Sequence, residues 1–131
     1  MTVFLDTSFF IASLAPRDQW RHIAVAAPIP AMPVTTSLIV NETASLLQSR
    51  GFFSMALDFL QRIRGGEIEI VYPEADLQRV GWDLLLSHGG SGANAVDCTS
   101  FALMKQRRIR LAYTFDDHFR DAGFETLLGS R

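Results

Sequence analysis

The sequence predicts an α/β protein, a three-layer α/β/α sandwich around a short, mainly parallel central sheet. Three observations predict it. Short apolar runs alternate with longer segments of helical apolar spacing along the whole chain. The first strand candidate, Val3-Phe4-Leu5, is apolar at every position, which suits a strand covered on both faces. The chain has 131 residues and is 48% hydrophobic, which fits one domain (1–131) with a substantial core.

Val3-Phe4-Leu5 ends at Asp6, and Thr7 and Ser8 are placed to cap a short helix carrying Phe9, Phe10, Ile11 and Leu14. Pro16 ends or restarts that helix, and residues 18–26 form a second one. Pro28, Pro30 and Pro33 mark a loop before a strand near Val34-Thr35. Residues 37–49 read as a helix, with Gly51 just beyond its C-terminus. Phe52, Met55, Ala56, Phe59, Leu60 and Ile63 recur at helical spacing until Gly65-Gly66. Ile68, Ile70 and Tyr72 alternate with Glu67, Glu69 and Val71, a strand candidate closed by Pro73. Leu77, Val80, Leu84 and Leu85 mark a further helix, followed by the loop Gly89-Gly90-Ser91-Gly92. A helix runs from about Ala95 to Arg107, and Leu111-Ala112-Tyr113 is a strand. A short helix begins near Asp116, and residues 124–128 add an edge strand. The order is β-α-α-β-α-α-β-α-α-β-α, with that strand at the end.

The formal net charge is −2, which excludes a polybasic nucleic-acid binder. A contact with RNA must use a local basic patch or bridging cations. One cysteine, Cys98, leaves no intrachain disulfide and fits a reducing compartment. Met1-Thr2-Val3-Phe4-Leu5-Asp6 has neither the basic nor the long apolar part of a signal peptide, and no apolar run has membrane-spanning length. The expected location is the cytoplasm.

Ligands in open α/β sheets sit beyond the carboxyl ends of the strands. Asp6 follows the first strand and Asp116 follows the strand 111–113, so both belong to that edge. Glu42 interrupts an apolar stripe formed by Leu38, Ile39 and Leu46, so it points inward. Asp97 lies in the first turn of its helix, in line with Phe101 and Met104. Each acid taken alone also fits a helix cap, a first-turn acid or a buried ion pair. Four carboxylates meeting at one sheet edge need raised pKa values or a cation. His22, His88 and His118 are scattered and Cys98 is alone, so no zinc spacing exists. An all-oxygen group favours Mg²⁺ or Mn²⁺.

These segments carry a family resemblance. Val3-Phe4-Leu5-Asp6-Thr7-Ser8 resembles the opening of PIN domains, and residues 97–104 resemble their third-acid helix. Thr114-Phe115-Asp116-Asp117-His118-Phe119, with Ala122-Gly123-Phe124 beyond it, resembles their last motif. Glu42 falls where the second acid of the family does. The resemblance spans the chain. It implies a Mg²⁺- or Mn²⁺-dependent endoribonuclease similar to the VapC-type toxins of toxin–antitoxin pairs. It implies Asp6, Glu42, Asp97 and Asp116 as the acidic set, with Asp6, Asp97 and Asp116 on the metal. Ser8 and Thr114 would supply hydroxyls behind those acids, and Asp117 competes with Asp116 for the fourth place. It also implies an RNA substrate, a cognate antitoxin and a homodimer.

Lys105, Arg107 and Arg108, with Arg110, are the densest basic run and either track RNA or form a solvated helix end. Arg17 and Arg21 are candidates for the site entrance. Trp20 and Trp82 fit base stacking, core packing or a dimer contact, with packing or the dimer preferred. His118 fits an acid–base role less well than a structural hydrogen bond. Two rival readings remain. A phosphotransfer receiver also gathers acids at strand ends, but it needs a lysine on a late strand, and the one lysine, Lys105, falls in a helix. A PIN-like module that binds RNA or protein without cleavage keeps the same acids.

Overall fold

A computed structural model describes residues 1–88 and 91–129, so Gly89 and Gly90 of the expected glycine loop lie outside the described residues, as do Ser130 and Arg131. The strands are β1 (Val3–Leu5), β2 (Val34–Thr36), β3 (Glu69–Val71), β4 (Leu111–Tyr113) and β5 (Glu125–Thr126). The helices are α1 (Thr7–Leu14), α2 (Arg21–Ala26), α3 (Ser37–Ser49), α4 (Phe53–Ile63), α5 (Ala75–Ser87), α6 (Ala95–Arg107) and α7 (Asp117–Asp121). Their order is the order predicted, including the terminal strand.

The sheet order is β3-β2-β1-β4-β5, and every pairing between these strands is parallel. Phe4 lies between Val34 and Ala112, and Ala112 in turn faces Thr126. The chain steps from β1 through β2 to β3, crosses back to β4 and continues outward to β5. Right-handed crossovers then place α1–α4 on one face and α5–α7 on the other. Helix packing follows this division, since α1 packs on α2 and α3, α3 on α4, and α5 on α6. The chain leaves β1 and β4 in opposite directions, so their carboxyl ends frame the switch point where α/β sheets bind ligands.

Val3, Phe4 and Leu5 are buried completely, as a central strand covered by two helical layers requires. Phe4 and Phe101 both pack on Phe119, with ring centroids 6.2 and 4.9 Å apart. A Cβ on Gly81 would stand 2.6 Å from Thr99 Oγ1 and 3.0 Å from Thr99 Cα, so this glycine sets how closely α5 approaches α6.

Four local expectations change. Helix α2 starts at Arg21, not at residue 18, because Asp18 Oδ1 accepts from Trp20 N at 2.8 Å and holds a turn there. Helix α1 has Asp6 at its N-cap with no side-chain cap bond, while the Thr7 and Ser8 hydroxyls bond elsewhere. Strand β3 is an edge strand of three half-buried residues, and Tyr72, grouped with Ile68 and Ile70 in the strand candidate, lies beyond its end and is exposed. On α5 the buried position is Gly81, while Val80 points outward.

Candidate active site

Asp6 is the first residue after β1 and is 3% exposed. Its Oδ2 accepts from Thr114 Oγ1 at 2.7 Å and from Ser8 Oγ at 3.0 Å. Thr114 Oγ1 also accepts from Asp116 N, and Ser8 Oγ accepts from Phe115 N. Two hydroxyls, Ser8 in the first turn of α1 and Thr114 just past β4, thus tie Asp6 to the backbone that carries Asp116. Burial pushes the Asp6 carboxyl up to about 6, assisted by the Asp97 charge and opposed by the Thr114 and Ser8 hydrogen bonds.

Asp97 occupies the third position of α6 and is buried. Its Oδ2 accepts from Asn94 N at 3.0 Å while Asn94 Oδ1 accepts from Asp97 N at 2.9 Å, a reciprocal cap that sets its rotamer. Burial raises its pKa; the Asn94 bond and His118 oppose the rise, and the charges of Asp116 and Glu42 add to it. Asp116 is the N-cap of α7, and its Oδ1 accepts from His118 N at 3.0 Å. Glu42 is half-buried on α3, and its Oε1 accepts from Thr7 Oγ1 at 2.6 Å. Asp6, Glu42, Asp97 and Asp116 line one cleft of about 310 Å³. Asp117 stands apart from them, exposed and paired with Arg120.

His118 joins this group. Its Nδ1 stands 2.9 Å from Asp116 Oδ1 and 3.5 Å from Asp97 Oδ2. Nδ1 is buried and makes no hydrogen bond, because neither carboxylate oxygen lies along its bonding direction. One ligand atom each from Asp97, Asp116 and His118 lies within 4.8 Å of the others. Asp97 Oδ1, Asp116 Oδ2 and Glu42 Oε2 take no hydrogen bond from the described residues. Carboxylate oxygens that lack donors, beside a buried imidazole nitrogen that makes no hydrogen bond, are groups a divalent cation would satisfy, so the donor set fits one. The expectation of a purely structural hydrogen bond at His118 does not hold for Nδ1.

Lys105, Arg107 and Arg108 are not brought to the acids. They sit at the far end of α6, about 15 Å along the helix from Asp97. Arg107 Nη2 pairs with Glu69 Oε2 at 2.8 Å at the start of β3, on the opposite edge of the sheet. Arg21 is held by the Ser13 carbonyl at 2.7 Å. The cation lining the cleft is Arg50, which sequence reasoning missed. The signal was present in the spacing: Glu42 and Leu46 on α3 and Arg50 at its C-cap follow one another at intervals of four, and all three line the cleft.

A parallel five-stranded α/β sandwich with carboxylates at its β1/β4 switch point defines the class. The PIN domain family model matches residues 3–125, and the chain belongs to the PIN domain family. It is similar to VapC20 of Mycobacterium tuberculosis, a 23S rRNA-specific endonuclease, with 32% identity over 125 residues, 93% of this chain and 95% of that protein. The crystal structure of that protein, described as a sarcin–ricin loop cleaving toxin, superposes with a TM-score of 0.88 at 31% identity, covering 93% of this chain and 95% of that one. A toxin–antitoxin complex from Klebsiella pneumoniae shares the fold at TM-score 0.62 and 13% identity, covering 88% of this chain and 87% of that one. VapBC-1 from nontypeable Haemophilus influenzae shares it at TM-score 0.57 and 15% identity, covering 93% and 92%.

Proposed function

We propose that this chain is a divalent-metal-dependent endoribonuclease that cuts a structured loop of 23S rRNA and serves as the toxin of a toxin–antitoxin pair. The observation that carries the reading is the orphaned His118 Nδ1 grouped with Asp97 and Asp116, beside Asp6. The substrate and the toxin role rest on the similarity to VapC20. The cognate antitoxin, a homodimeric state and action in the cytoplasm belong to the same reading. Among the described residues no helix is long and apolar enough to cross a membrane.

Asp6, Asp97, Asp116 and His118 Nδ1 would hold the cation, with Mn²⁺ favoured over Mg²⁺ because imidazole is a softer ligand than carboxylate. The ion supplies water activation and neutralises charge on the phosphoryl oxygens. Thr114 and Ser8 donate to the Asp6 carboxylate and oppose the effect of its burial. Asn94 fixes Asp97, and the N-terminus of α7 fixes Asp116. Glu42 is anchored at Oε1 by Thr7, which leaves Oε2 to take a proton from the attacking water.

The test is cleavage of a 23S rRNA sarcin–ricin hairpin with and without Mn²⁺, comparing the wild-type protein with Asp97→Asn. Asn keeps an oxygen for the Asn94 N–H, so the helix start should survive. Mn²⁺-dependent cutting that falls by orders of magnitude in the variant supports the reading. Equal cutting by both proteins refutes the site. Mn²⁺ binding by a protein that cuts no RNA would select the non-cleaving module instead.

A further inference from the structure

Two aromatic rings stand at the rim of the acidic cleft. Trp20 and Phe115 stack with centroids 5.3 Å apart and planes within 3° of parallel. The neighbouring ring pairs Phe9–Tyr113 and Phe101–Phe119 are tilted or edge-on, as rings in a packed core commonly are. Trp20 and Phe115 are each half-buried, and both line the cleft that holds the four acids. A parallel stack that stays half exposed in the cleft is a surface that a further flat ring can extend.

Both rings are held in place before any ligand arrives. Asp18 Oδ1 accepts from Trp20 N, and the Trp20 carbonyl accepts from Ile23 N and Ala24 N at the start of α2. Phe115 N donates to Ser8 Oγ at 2.9 Å, and that same hydroxyl lies 3.0 Å from Asp6 Oδ2. One hydroxyl therefore holds both the backbone that carries Phe115 and the Asp6 carboxylate. The Trp20 indole Nε1–H has no acceptor among the described residues and is not enclosed, which leaves a donor at the rim. The Arg50 guanidinium makes no hydrogen bond or ion pair among the described residues, although acids surround the cleft it lines. It also lines an adjoining cleft with Arg17 and Phe52, and the two clefts share Asp18 and Arg50.

We propose that the Trp20–Phe115 stack is a nucleobase subsite next to the scissile phosphate, and that Arg50 holds a phosphate of the same strand as it enters the adjoining cleft. This rests on the endoribonuclease reading and deepens it. A base that joins the stack must be unpaired and turned out of its own strand, so the substrate class is an RNA loop or single strand rather than a duplex. Trp20 acts as a positioning residue: it seats the nucleotide and leaves the reacting atoms to the carboxylates.

The test uses the full chain with Mn²⁺ and a single-stranded RNA carrying 2-aminopurine beside the cleavage position. The variants are Trp20→Leu, which keeps apolar volume against Phe115 but has no π face, and Trp20→Phe, which keeps a ring. The expected result is 2-aminopurine quenching in the wild type and in Trp20→Phe. Trp20→Leu should raise the dissociation constant and KM roughly tenfold, with kcat and Mn²⁺ affinity nearly unchanged. Arg50→Gln should lower the salt slope of binding by about 0.7, the loss of one single-strand phosphate contact. Equal binding by wild type, Trp20→Leu and Trp20→Phe overturns the subsite while leaving the nuclease standing. A Leu and a Phe variant weakened alike also overturns it, since that pattern reports packing rather than stacking. A wild-type protein that neither binds nor cuts RNA overturns the nuclease reading, and the subsite with it.

Discussion

Thr114 Oγ1 donates a hydrogen bond of 2.7 Å to Asp6 Oδ2 across 108 residues of sequence and also accepts from Asp116 N. One hydroxyl thus links the acid after β1 to the acid after β4. Thr114→Val keeps the shape and removes both interactions. Metal affinity should fall about 10- to 100-fold, as for other hydrogen-bond partners of metal ligands. The fold should persist at a cost of about 1–2 kcal/mol. Calorimetric Mn²⁺ titration and thermal melts read the two effects separately, and Thr114→Ser should recover the affinity.

Asp6 gives the stability a defined pH dependence. Its folded pKa is raised from 3.8 to about 6, so the folded state holds this proton more tightly than the unfolded chain. The contribution is full below pH 3.8 and is lost as the pH rises through about 6. The loss is on the order of 3 kcal/mol without metal. Denaturant melts in EDTA should show Asp6→Asn gaining on the wild type between pH 4 and 7. Stabilisation of the wild type by Mn²⁺ should grow over the same range, because the ion binds the ionised carboxylate. An Mn²⁺ effect that does not vary with pH would remove Asp6 from the metal site.

His118 places a buried Nδ1 that makes no hydrogen bond beside the carboxylates of Asp97 and Asp116. His118→Ala should weaken Mn²⁺ binding tenfold or more and Mg²⁺ binding less, because the lost ligand is the nitrogen. Equal losses for the two ions, read by calorimetry, would indicate a change in carboxylate geometry instead.

Arg108 ends α6 with φ 56°, a left-handed conformation that usually takes glycine. Arg108→Gly should stabilise the protein by about 1 kcal/mol. RNA cleavage should be unchanged, because this end of α6 faces away from the acids. A stabilised protein with impaired cleavage would restore the basic run 105–110 as an RNA contact.

Close packing of α5 on α6 depends on Gly81. Gly81→Ala would force its methyl against the backbone and hydroxyl of Thr99. The expected cost is about 1–3 kcal/mol, read as a lowered denaturation midpoint.

Much of the fold was legible because its signals are local. The bounds of α3 and α6 follow from apolar spacing and, for α3, from Gly51 just beyond its end. The parallel sheet follows from strands without polar alternation, such as Val3-Phe4-Leu5. Asp6 and Asp116 were visible as acids just past strand ends, and Glu42 and Asp97 as acids on the inward faces of helices. His118 was not, because its neighbours in sequence show a short helix and say nothing of where Nδ1 points. Arg50 was hidden behind the denser run 105–110, since charge density in sequence does not tell which sheet edge a helix end reaches.

The sequence by itself determined the order of elements, the central buried strand and the identity of the acids. Each of these depends on residue type and on spacing within one segment. Tertiary structure alone decided the strand order, and with it the switch point at which β1 and β4 place Asp6 and Asp116 side by side. It also decided that Thr114 and Ser8 serve Asp6, that Thr7 serves Glu42, and that Trp20 lies flat on Phe115. Except for Ser8 and Asp6, which are neighbours in sequence, these pairs join segments far apart in the chain, and their short-range contacts exist only once apolar burial has packed both helical layers onto the sheet.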